Sequence, residues 1–407
     1  TLEGGINRRR KLVPTASFDT TPHEELSTTD SRRFAELRVD VPALDRLDLA
    51  GRVFYDGSSY SGSYPYSSAD GGRERELARG DWAGLEATAT WRPLDGLGAT
   101  AGVDGQRYFQ VVQRLADDSG GRTLDDRAFS TYALFAQAEA ELGDRVTLTG
   151  GGRWDHYDTF GGRFSPRAAA VVRPFERTAV KLMYGEAFRA PSLYELYYDY
   201  PTGGLLENPD LRPEVVRHEE AEVEQELLHG RIRLVASYFH YEALDLIEAV
   251  DVPGASASRY ENARDARGDG AEVAVDGRLP WRDIRGGLSY TFAHVVDAAT
   301  GDRLSNSPQH LVLGRISAPL WDDRLFLALA GRFVGERPGL PGKHHADAAA
   351  TLDVTLTWED LLPRLGLGAG VTNVADRRWT IPGSFEHRED QIPEEGRTFW
   401  VKLTYEF

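Results

Sequence analysis

Hydrophobic and polar residues alternate along many short stretches of this chain. In the final stretch, Phe399, Val401, Leu403, Tyr405 and Phe407 are separated by single residues that are mostly polar. Successive side chains of a β-strand point to opposite faces, so this pattern predicts a strand with one apolar and one polar face. Residues 144–155 and 177–184 repeat the pattern. A strand that separates lipid from a water-filled lumen needs these two faces.

The alternation predicts an all-β chain of about eighteen antiparallel strands, the first of them partial. Neither a helical pattern between the strands nor a repeat of about forty residues is present, which argues against nucleotide-binding α/β folds and propellers. The predicted strands fall near residues 30–42, 46–60, 79–93, 97–113, 128–141, 144–158, 162–173, 177–188, 214–228, 231–246, 258–279, 283–295, 307–318, 323–335, 347–358, 365–375 and 398–407, with part of a strand before residue 30.

The predicted connections alternate between short and long. Short turns at one rim and long loops at the other are typical of outer-membrane barrels. Most tryptophans fall near one rim or the other, as expected for aromatic girdles at the two lipid–water interfaces. The short turns are 143–144, 174–176, 229–230 and 280–282, and the long loops are 61–78, 114–127, 189–213, 296–306 and 376–395. Trp91, Trp281, Trp321 and Trp358 lie near short turns, Trp82, Trp154 and Trp400 lie toward long loops, and Trp379 lies within a loop.

Composition narrows the possible functions. The 407 residues carry a net charge of −17 and have a pI near 5.1, which argues against a nucleic-acid partner. The chain has no cysteine, so disulfides and thiolate metal sites are excluded. No apolar run approaches the roughly 18 residues of a membrane-spanning helix, so a membrane crossing would require a closed barrel. Nothing at suggestive spacing indicates an enzyme, a resident cofactor or a metal site, and no catalytic residue is predicted.

Seven segments occur in an order that resembles the barrel domain of TonB-dependent outer-membrane receptors, which import iron complexes, cobalamin and similar scarce nutrients. The resemblance covers residues 128–407 best. The segments are "GGGRWDHYDTFGGRFSPRAA" at 151–170, "YGEAFRAPSLYELY" at 184–197, "NPDLRPE" at 208–214, "YENARDARGDGAEV" at 260–273, "NSPQHL" at 306–311, "VTNVADRRW" at 371–379 and "EGRTFWVKLTYEF" at 395–407.

The resemblance implies a transmembrane antiparallel β-barrel of the 22-strand type, which holds a plugged lumen. We expect residues 1–407 to form such a barrel truncated at its N-terminus, with the plug domain and about four strands missing; a true 18-stranded barrel is the alternative. The resemblance also implies the outer membrane of a Gram-negative bacterium as the location. The implied partners are membrane lipid, TonB through the missing plug, a small ligand such as a ferric siderophore, and the barrel-assembly machinery through Phe407.

The loop from Arg189 to Pro213 would then be extracellular, and it holds the candidate ligand-binding residues. Phenol rings combine a stacking face with a polar tip, and a guanidinium can pair with an anionic ligand. In the alternative interpretation these side chains anchor the loop to the wall. The candidates are Arg189, Tyr194, Tyr197, Tyr198 and Tyr200.

A haem ligand and a metal ligand are two narrower hypotheses. "FRAP" at 188–191 and "NPDL" at 208–211 resemble the paired boxes of haem receptors, but residues 192–207 contain no histidine to ligate iron, although tyrosine can also do so. His344 and His345 are adjacent, yet no carboxylate or third histidine stands at ligand spacing, so a solvated pair is expected.

Energy-coupled uptake of an iron–siderophore complex or a similar scarce nutrient is the predicted function. A cobalamin or haem receptor of the same family and a passive, porin-like diffusion channel are the alternatives. Conductance in a planar bilayer separates the channel from the receptor, because an open channel conducts small solutes without energy input.

Overall fold

A computed structural model describes residues 1–13, 26–65, 72–118, 122–200, 204–279, 283–321, 324–384, 387 and 389–406. Within these residues nearly all regular structure is β-strand, and one short helix, α1 (Leu193–Tyr197), is present. None of the described helical residues forms a helix long and apolar enough to cross a bilayer. The strands of the first half are β1 (Leu2–Val13), β2 (Leu26–Leu44), β3 (Leu47–Pro65), β4 (Arg73–Leu94), β5 (Leu97–Asp117), β6 (Arg122–Leu142), β7 (Val146–Tyr157), β8 (Gly161–Phe175), β9 (Thr178–Arg189) and β10 (Leu205–Leu206). Those of the second half are β11 (Glu214–Leu227), β12 (Ile232–Asp251), β13 (Ser258–Leu279), β14 (Ile284–Asp297), β15 (His310–Trp321), β16 (Leu325–Val334), β17 (Ala349–Leu362), β18 (Leu365–Thr372), β19 (Thr380–Pro382), β20 (Gln391–Pro393) and β21 (Thr398–Tyr405).

Strands that follow one another in the chain pair antiparallel. The register runs unbroken from Leu2 opposite Leu37 to Val13 opposite Leu26 in the first pair, and similar ladders join β2 through β7 and β14 through β18. β18 pairs with β21, and the small β19–β20 hairpin lies between them in the chain. β9 pairs with β11, since the intervening β10 pairs in parallel with β13 instead. The predicted antiparallel all-β fold is confirmed.

The described chain divides into two compact units. The first contains residues Thr1–Ala170, Met183–His218 and Glu242–Ala266, and the second contains Val171–Leu182, Glu219–Tyr241 and Arg267–Phe407. Each unit is therefore described by itself.

In the first unit the two faces of the strands differ in chemistry. Leu37, Val53 and Leu85 are directly opposite one another across β2, β3 and β4, and each is about half exposed. On the other face, the guanidinium of Arg52 on β3 lies 3.3 Å from the carboxylate of Glu36 on β2 and 3.2 Å from the carboxylate of Glu86 on β4. An apolar face left open and a polar face laced with ion pairs suit lipid on one side and water on the other.

The second unit has the same division. Phe399 and Val401 of β21 are 72% and 76% exposed, and they alternate with polar neighbours. On the polar face, the Lys181 ammonium lies 2.7 Å from a Glu222 oxygen and 3.0 Å from a Glu224 oxygen. Large apolar side chains that stay exposed along whole strands are what a lipid-facing surface requires.

The predicted strand positions are confirmed within a few residues, but two predicted long loops are wrong. β3 continues to Pro65 and β4 begins at Arg73, so most of the predicted loop 61–78 is a hairpin. β5 likewise continues to Asp117 and β6 begins at Arg122, within the predicted loop 114–127. These ends are polar on both faces, so they lack the alternation that predicts a strand, while their backbone hydrogen bonds continue the ladder.

Short turns lie where the sequence predicts them, with one shift. The turn between β6 and β7 contains Gly143, whose φ of +64° is a conformation that glycine adopts without strain. The turn predicted at 174–176 is formed by residues 176–177 instead, because β8 extends to Phe175. The predicted turn at 280–282 with Trp281, and the C-terminal Phe407, lie outside the described residues.

Candidate functional site

The loop after β9 begins with the helix α1, which the sequence analysis does not predict. Pro191 ends the strand, and Ser192 caps the helix: its hydroxyl accepts the N–H of Glu195 while the Glu195 carboxylate accepts the N–H of Ser192. The sequence signal was present, since Ser-x-x-Glu after a proline marks a helix start. Five residues are too few for side-chain periodicity to reveal a helix.

Arg189 is held by two carboxylates that come from opposite ends of this loop. Its guanidinium donates to the Glu214 oxygens at 2.6 and 2.7 Å and to the Glu195 oxygens at 2.9 and 3.0 Å. The same Glu214 carboxylate also accepts the N–H of Ile247. The fixed fork of arginine suits this double bidentate arrangement, which lysine cannot reproduce.

Three of the segments that carry the family resemblance meet at the base of the loop. The amide of Asn208 donates to the backbone oxygen of Tyr260 at 2.7 Å. The amide of Asn262 donates to the backbone oxygens of Arg212 and Asp245 at 2.9 and 2.7 Å, and its oxygen accepts the N–H of Arg212. The asparagine side chains therefore tie the loop to the backbones of β12 and β13.

The four candidate tyrosines also make contacts within the chain. Tyr198 is buried, which raises the pKa of its phenol, and its ring packs at a tilt of 33° against that of Tyr194, with centroids 4.4 Å apart. The Arg127 guanidinium lies 3.5 Å from the centroid of the Tyr197 ring. The Tyr200 hydroxyl donates to the carboxylate of Asp117 on β5. Such contacts are those that anchoring the loop requires, and a ligand-binding role of Arg189 and the tyrosines stays a prediction.

A cavity on the polar face of β1–β5 is lined by aromatic side chains that the sequence analysis assigned elsewhere or missed. Trp82 stacks on Tyr108 with centroids 5.4 Å apart, and Tyr108 stacks on Phe129 at 4.3 Å and 7° between the ring planes. The cavity has a volume of about 520 Å³, and Arg32 and Tyr60 also line it. A volume of this size suits a small-molecule ligand. We call it the aromatic cavity.

The predicted place of Trp82 in a lipid-facing girdle is wrong. Trp82 is directly opposite Asp56 on β3, and directly opposed residues share a face, so its ring points to the polar side. Trp154, by contrast, is opposite Leu134 and 38% exposed, as a lipid-facing ring should be. The register between neighbouring strands decides the face, and a single strand's sequence does not contain it.

Arg32 supplies positive charge at the edge of the aromatic cavity. Its guanidinium donates to both oxygens of Asp56, at 3.1 and 3.0 Å through Nε. Asp56 is nearly buried, whereas 63% of the Arg32 side chain stays exposed. The guanidinium thus keeps donors free for an anionic ligand after pairing with its carboxylate.

A second cavity, of about 720 Å³, lies on the polar face of β13–β18 in the second unit. Arg332 and Trp379 line it, together with the carboxylates of Asp353 and Glu394. The guanidiniums of Arg332 and Arg337 lie 5.0 and 5.1 Å from the Trp379 ring centroid. Trp379 lies in a loop, as predicted.

The adjacent histidines pair with separate carboxylates. His344 Nδ1 lies 2.7 Å from the carboxylate of Asp390, and His345 Nδ1 lies 3.1 Å from that of Glu336. Both carboxylates are remote in sequence, and the two histidine side chains stay largely exposed. Across the described ranges, no three potential ligands converge as a metal site requires.

The strands are long and antiparallel, with an exposed apolar face and a polar face that carries ion pairs and ligand-sized cavities. These features define the class of outer-membrane β-barrel proteins. The chain belongs to the family described as TonB dependent receptor-like, beta-barrel, whose sequence profile matches residues 5–374. The predicted location, the outer membrane of a Gram-negative bacterium, is confirmed.

Similar proteins include receptors for iron complexes. The chain is 27% identical over 326 residues to the ferric enterobactin receptor of Pseudomonas aeruginosa, covering 68% of this chain and 42% of that protein. It is also 27% identical over 302 residues to the iron-regulated outer membrane virulence protein of Vibrio cholerae serotype O1, covering 68% of this chain and 44% of that protein. The chain spans less than half the length of these curated relatives.

Solved structures share the fold. A mutant of the ferric enterobactin receptor from Pseudomonas aeruginosa superposes with a TM-score of 0.81 at 21% identity, over 99% of this chain and 66% of that one. The copper transporter OprC superposes with a TM-score of 0.75 at 18% identity, over 94% and 68% of the two chains.

Proposed function

We propose that this chain forms the wall and outer loops of a receptor that imports a ferric siderophore across the outer membrane with energy delivered by TonB. Family membership supports the transport class, and relatives named as ferric enterobactin receptors support an iron chelate. The aromatic cavity carries the proposal, because stacked rings beside an arginine match an anionic chelate that presents flat catechol rings.

The Tyr108 ring is the centre of the proposed contact surface. It stacks between Trp82 and Phe129, so its position is fixed by both neighbours. Because the three rings hold one another in place, they lose little conformational entropy when a ligand packs against the stack. Arg32 then supplies a cation at the cavity wall for the negative charge that a ferric catecholate carries.

The loop candidates divide into two proposed roles. Arg189 and the buried Tyr198 hold the loop in place. Tyr194, Tyr197 and Tyr200 are only half-buried, so part of each ring remains open to a ligand. TonB would act through a plug domain, and the barrel described here would supply the wall and loops.

Ligand binding by the purified protein in detergent tests the proposal. Quenching of tryptophan fluorescence is titrated with a ferric catecholate chelate, a ferric hydroxamate chelate, haem and cobalamin. We expect the catecholate to bind most tightly, and Tyr108→Ala to weaken it at least about fivefold, because the middle ring that holds Trp82 in position at the cavity is lost.

Phe109→Ala is the matched control, since this neighbouring aromatic residue is 55% exposed and makes no part of the stack. It should leave the affinity unchanged. Equal affinities of the Tyr108 and Phe109 variants, or tighter binding of haem or cobalamin than of the catecholate, would show that the aromatic cavity does not select this ligand.

A further inference from the structure

The apolar outer face of the first unit ends abruptly in arginines at its extracellular side. Toward the extracellular end of each strand, an arginine comes next on the same face: Arg8 after Ile6 on β1, Arg33 beyond Ala35 on β2, and Arg107 after Gly105 on β5. On β4 the outer face changes from Ala83 to Asp81 and then Arg79. We call Arg8, Arg33, Arg79 and Arg107 the arginine collar.

The strand register shows that the collar belongs to the lipid side and not to the lumen. Arg33 is directly opposite Ile6, which is 88% exposed. Arg107 is directly opposite Ala83, which itself lies opposite Tyr55 on the apolar face. Because opposed residues share a face, these arginines point the same way as the apolar band.

The boundary between the apolar band and the arginine collar shifts toward the periplasmic end from one strand to the next, and the tilt of the strands explains this shift. It lies after Ile6 on β1 and after Ala35 on β2, and the row of residues opposite Ala35 leads through Tyr55 to Ala83 and Arg107. Moving along such a row changes the depth in the bilayer, since barrel strands tilt about 35–45°. The descending boundary therefore corresponds to one level in the membrane.

That level is the extracellular interface. The strands β4 and β5 are joined by a tight turn at Asp95 and Gly96 at the opposite end, and short turns mark the periplasmic rim. From Trp91 to Ala83 the outer face of β4 is apolar over a stretch of nine residues, about the height of an outer-membrane barrel's lipid band.

The collar is positive although the chain is strongly acidic. Asp81 pairs with Arg33 and Arg79, so one carboxylate neutralises part of the charge, and Arg107 donates to the neutral hydroxyl of Ser130. All four arginines are exposed. A second carboxylate, Asp126, lies on the same face, since it is opposite Val112, which is opposite Arg79. The four cations and two anions leave a net charge of +2 on this strip, in a protein whose net charge is −17. Exposed guanidiniums with unused donors recognise phosphate.

We propose that the arginine collar binds the phosphate groups of lipid headgroups in the outer leaflet, with the acyl chains packed against the apolar band below it. The inference rests on the outer-membrane fold and is independent of the proposed siderophore. A free anion would gain only the charge contacts, whereas a phosphorylated lipid also gains apolar burial against the strand residues below.

The test compares two lipids with the same acyl chains, a diphosphorylated glycolipid and its dephosphorylated form, by native mass spectrometry of the purified protein in detergent. We expect the phosphorylated lipid to bind at least about tenfold more tightly, and to lose most of this advantage in Arg8→Gln/Arg79→Gln/Arg107→Gln, since each interfacial arginine contributes about tenfold or less. Arg33 is kept so that Asp81 remains paired.

The matched control removes three arginines from the polar face of the same unit: Arg9→Gln/Arg38→Gln/Arg92→Gln. It changes the net charge equally, and Arg9 is the direct neighbour of Arg8 on the opposite face. Equal loss in both variants, or equal binding of the two lipids by the unaltered protein, overturns the proposal. Displacement of the lipid by millimolar inorganic phosphate would show that the collar is an ion site and would also overturn the proposal. The comparison of the two lipids on the unaltered protein tests the proposal even if a variant fails to fold.

Discussion

The carboxylate of Asp376 joins the turn after β18 to the start of β21. It accepts the backbone N–H of Arg397 at 2.9 Å, and the guanidinium of Arg378 lies 3.6 Å away. The backbone hydrogen bond is the main cause that lowers the pKa of Asp376, and the nearby arginines lower it further. The charged form of Asp376 is therefore favoured in the folded protein.

A lowered pKa fixes the direction of the pH dependence. The stabilising contribution of Asp376 is fully present above the ordinary pKa of an aspartate, about 3.9, and it is lost as the pH falls through the lower folded-state value. We expect the hydrogen-exchange protection of the Arg397 amide to be constant from pH 7 to about pH 5 and to fall on further acidification.

Asp376→Asn is the control for this prediction, because the amide oxygen still accepts the hydrogen bond but does not titrate. Its protection at Arg397 should be lower than that of the unaltered protein at pH 7 and independent of pH in the acid range. An unchanged acid dependence in the variant would assign the effect to another group.

Arg189 shows which part of a residue's role a sequence can reveal. Its place before a proline at a strand end indicated a functional or anchoring side chain, and the structure gives it contacts with two carboxylates. The partners were not predictable, since Glu214 is 25 residues away and faces Arg189 only when β9 pairs with β11. Contacts across paired strands depend on a register that one strand's sequence does not contain.

At the scale of elements, the pairing of β18 with β21 depends on a glycine. Gly370 is directly opposite Trp400, and a Cβ atom at Gly370 would lie 2.5 Å from Cε2 of the indole. We expect Gly370→Val to lower the free energy of unfolding by about 1–3 kcal/mol, because the rigid ring has to move. The midpoint of urea-induced unfolding in detergent measures the effect.

Gly331→Val is the matched control, in a strand of the same unit. A Cβ atom at Gly331 would contact nothing within 4 Å, so the substitution should leave the midpoint nearly unchanged. If both variants unfold at the same urea concentration, the contact with Trp400 does not limit the residue at position 370.

Elements were predictable where one face meets lipid and not where both faces meet water. β7 and β21 present one mainly apolar face and lie close to their predicted positions, whereas the outer ends of β3–β6 carry polar residues on both faces. Backbone ladders and polar side-chain contacts, such as the ion pair between Arg75 and Asp118, hold these ends in a ribbon, and such contacts leave little periodicity in the sequence.

At the scale of the whole molecule, the lipid face should reject charge while the polar face accepts it. Ala136 and Gln137 are neighbours on β6 whose side chains point to different faces. Ala136 pairs with Gly152 on the apolar face, and Gln137 pairs with Thr100 on the polar face. We expect Ala136→Arg to cost about 2–4 kcal/mol of folding free energy in a bilayer.

Gln137→Arg should change that free energy by less than about 0.5 kcal/mol, because its side chain remains in water. Folding into phospholipid vesicles, followed by the electrophoretic mobility of the folded form at increasing urea, compares the two variants. Equal penalties would contradict the assignment of the two faces.

The fold class was predictable because each strand has lipid on one side and water on the other, and its sequence alternates accordingly. The aromatic cavity was not, because Trp82, Tyr108 and Phe129 come from three strands and meet only in one register. The bulge between Tyr108 and Val111 also shifts that register locally, and no sequence pattern indicated it.

Strands β4 and β5 contain 22 and 21 residues, about twice what a bilayer crossing requires. Their surplus forms a stiff, hydrogen-bonded ribbon that stands out from the cell into the surrounding medium. Antibodies raised against intact bacteria, and phages that search for an attachment point, would have access to this projection. Sequence change there alters what an immune system or a virus sees while leaving the lipid-embedded wall untouched.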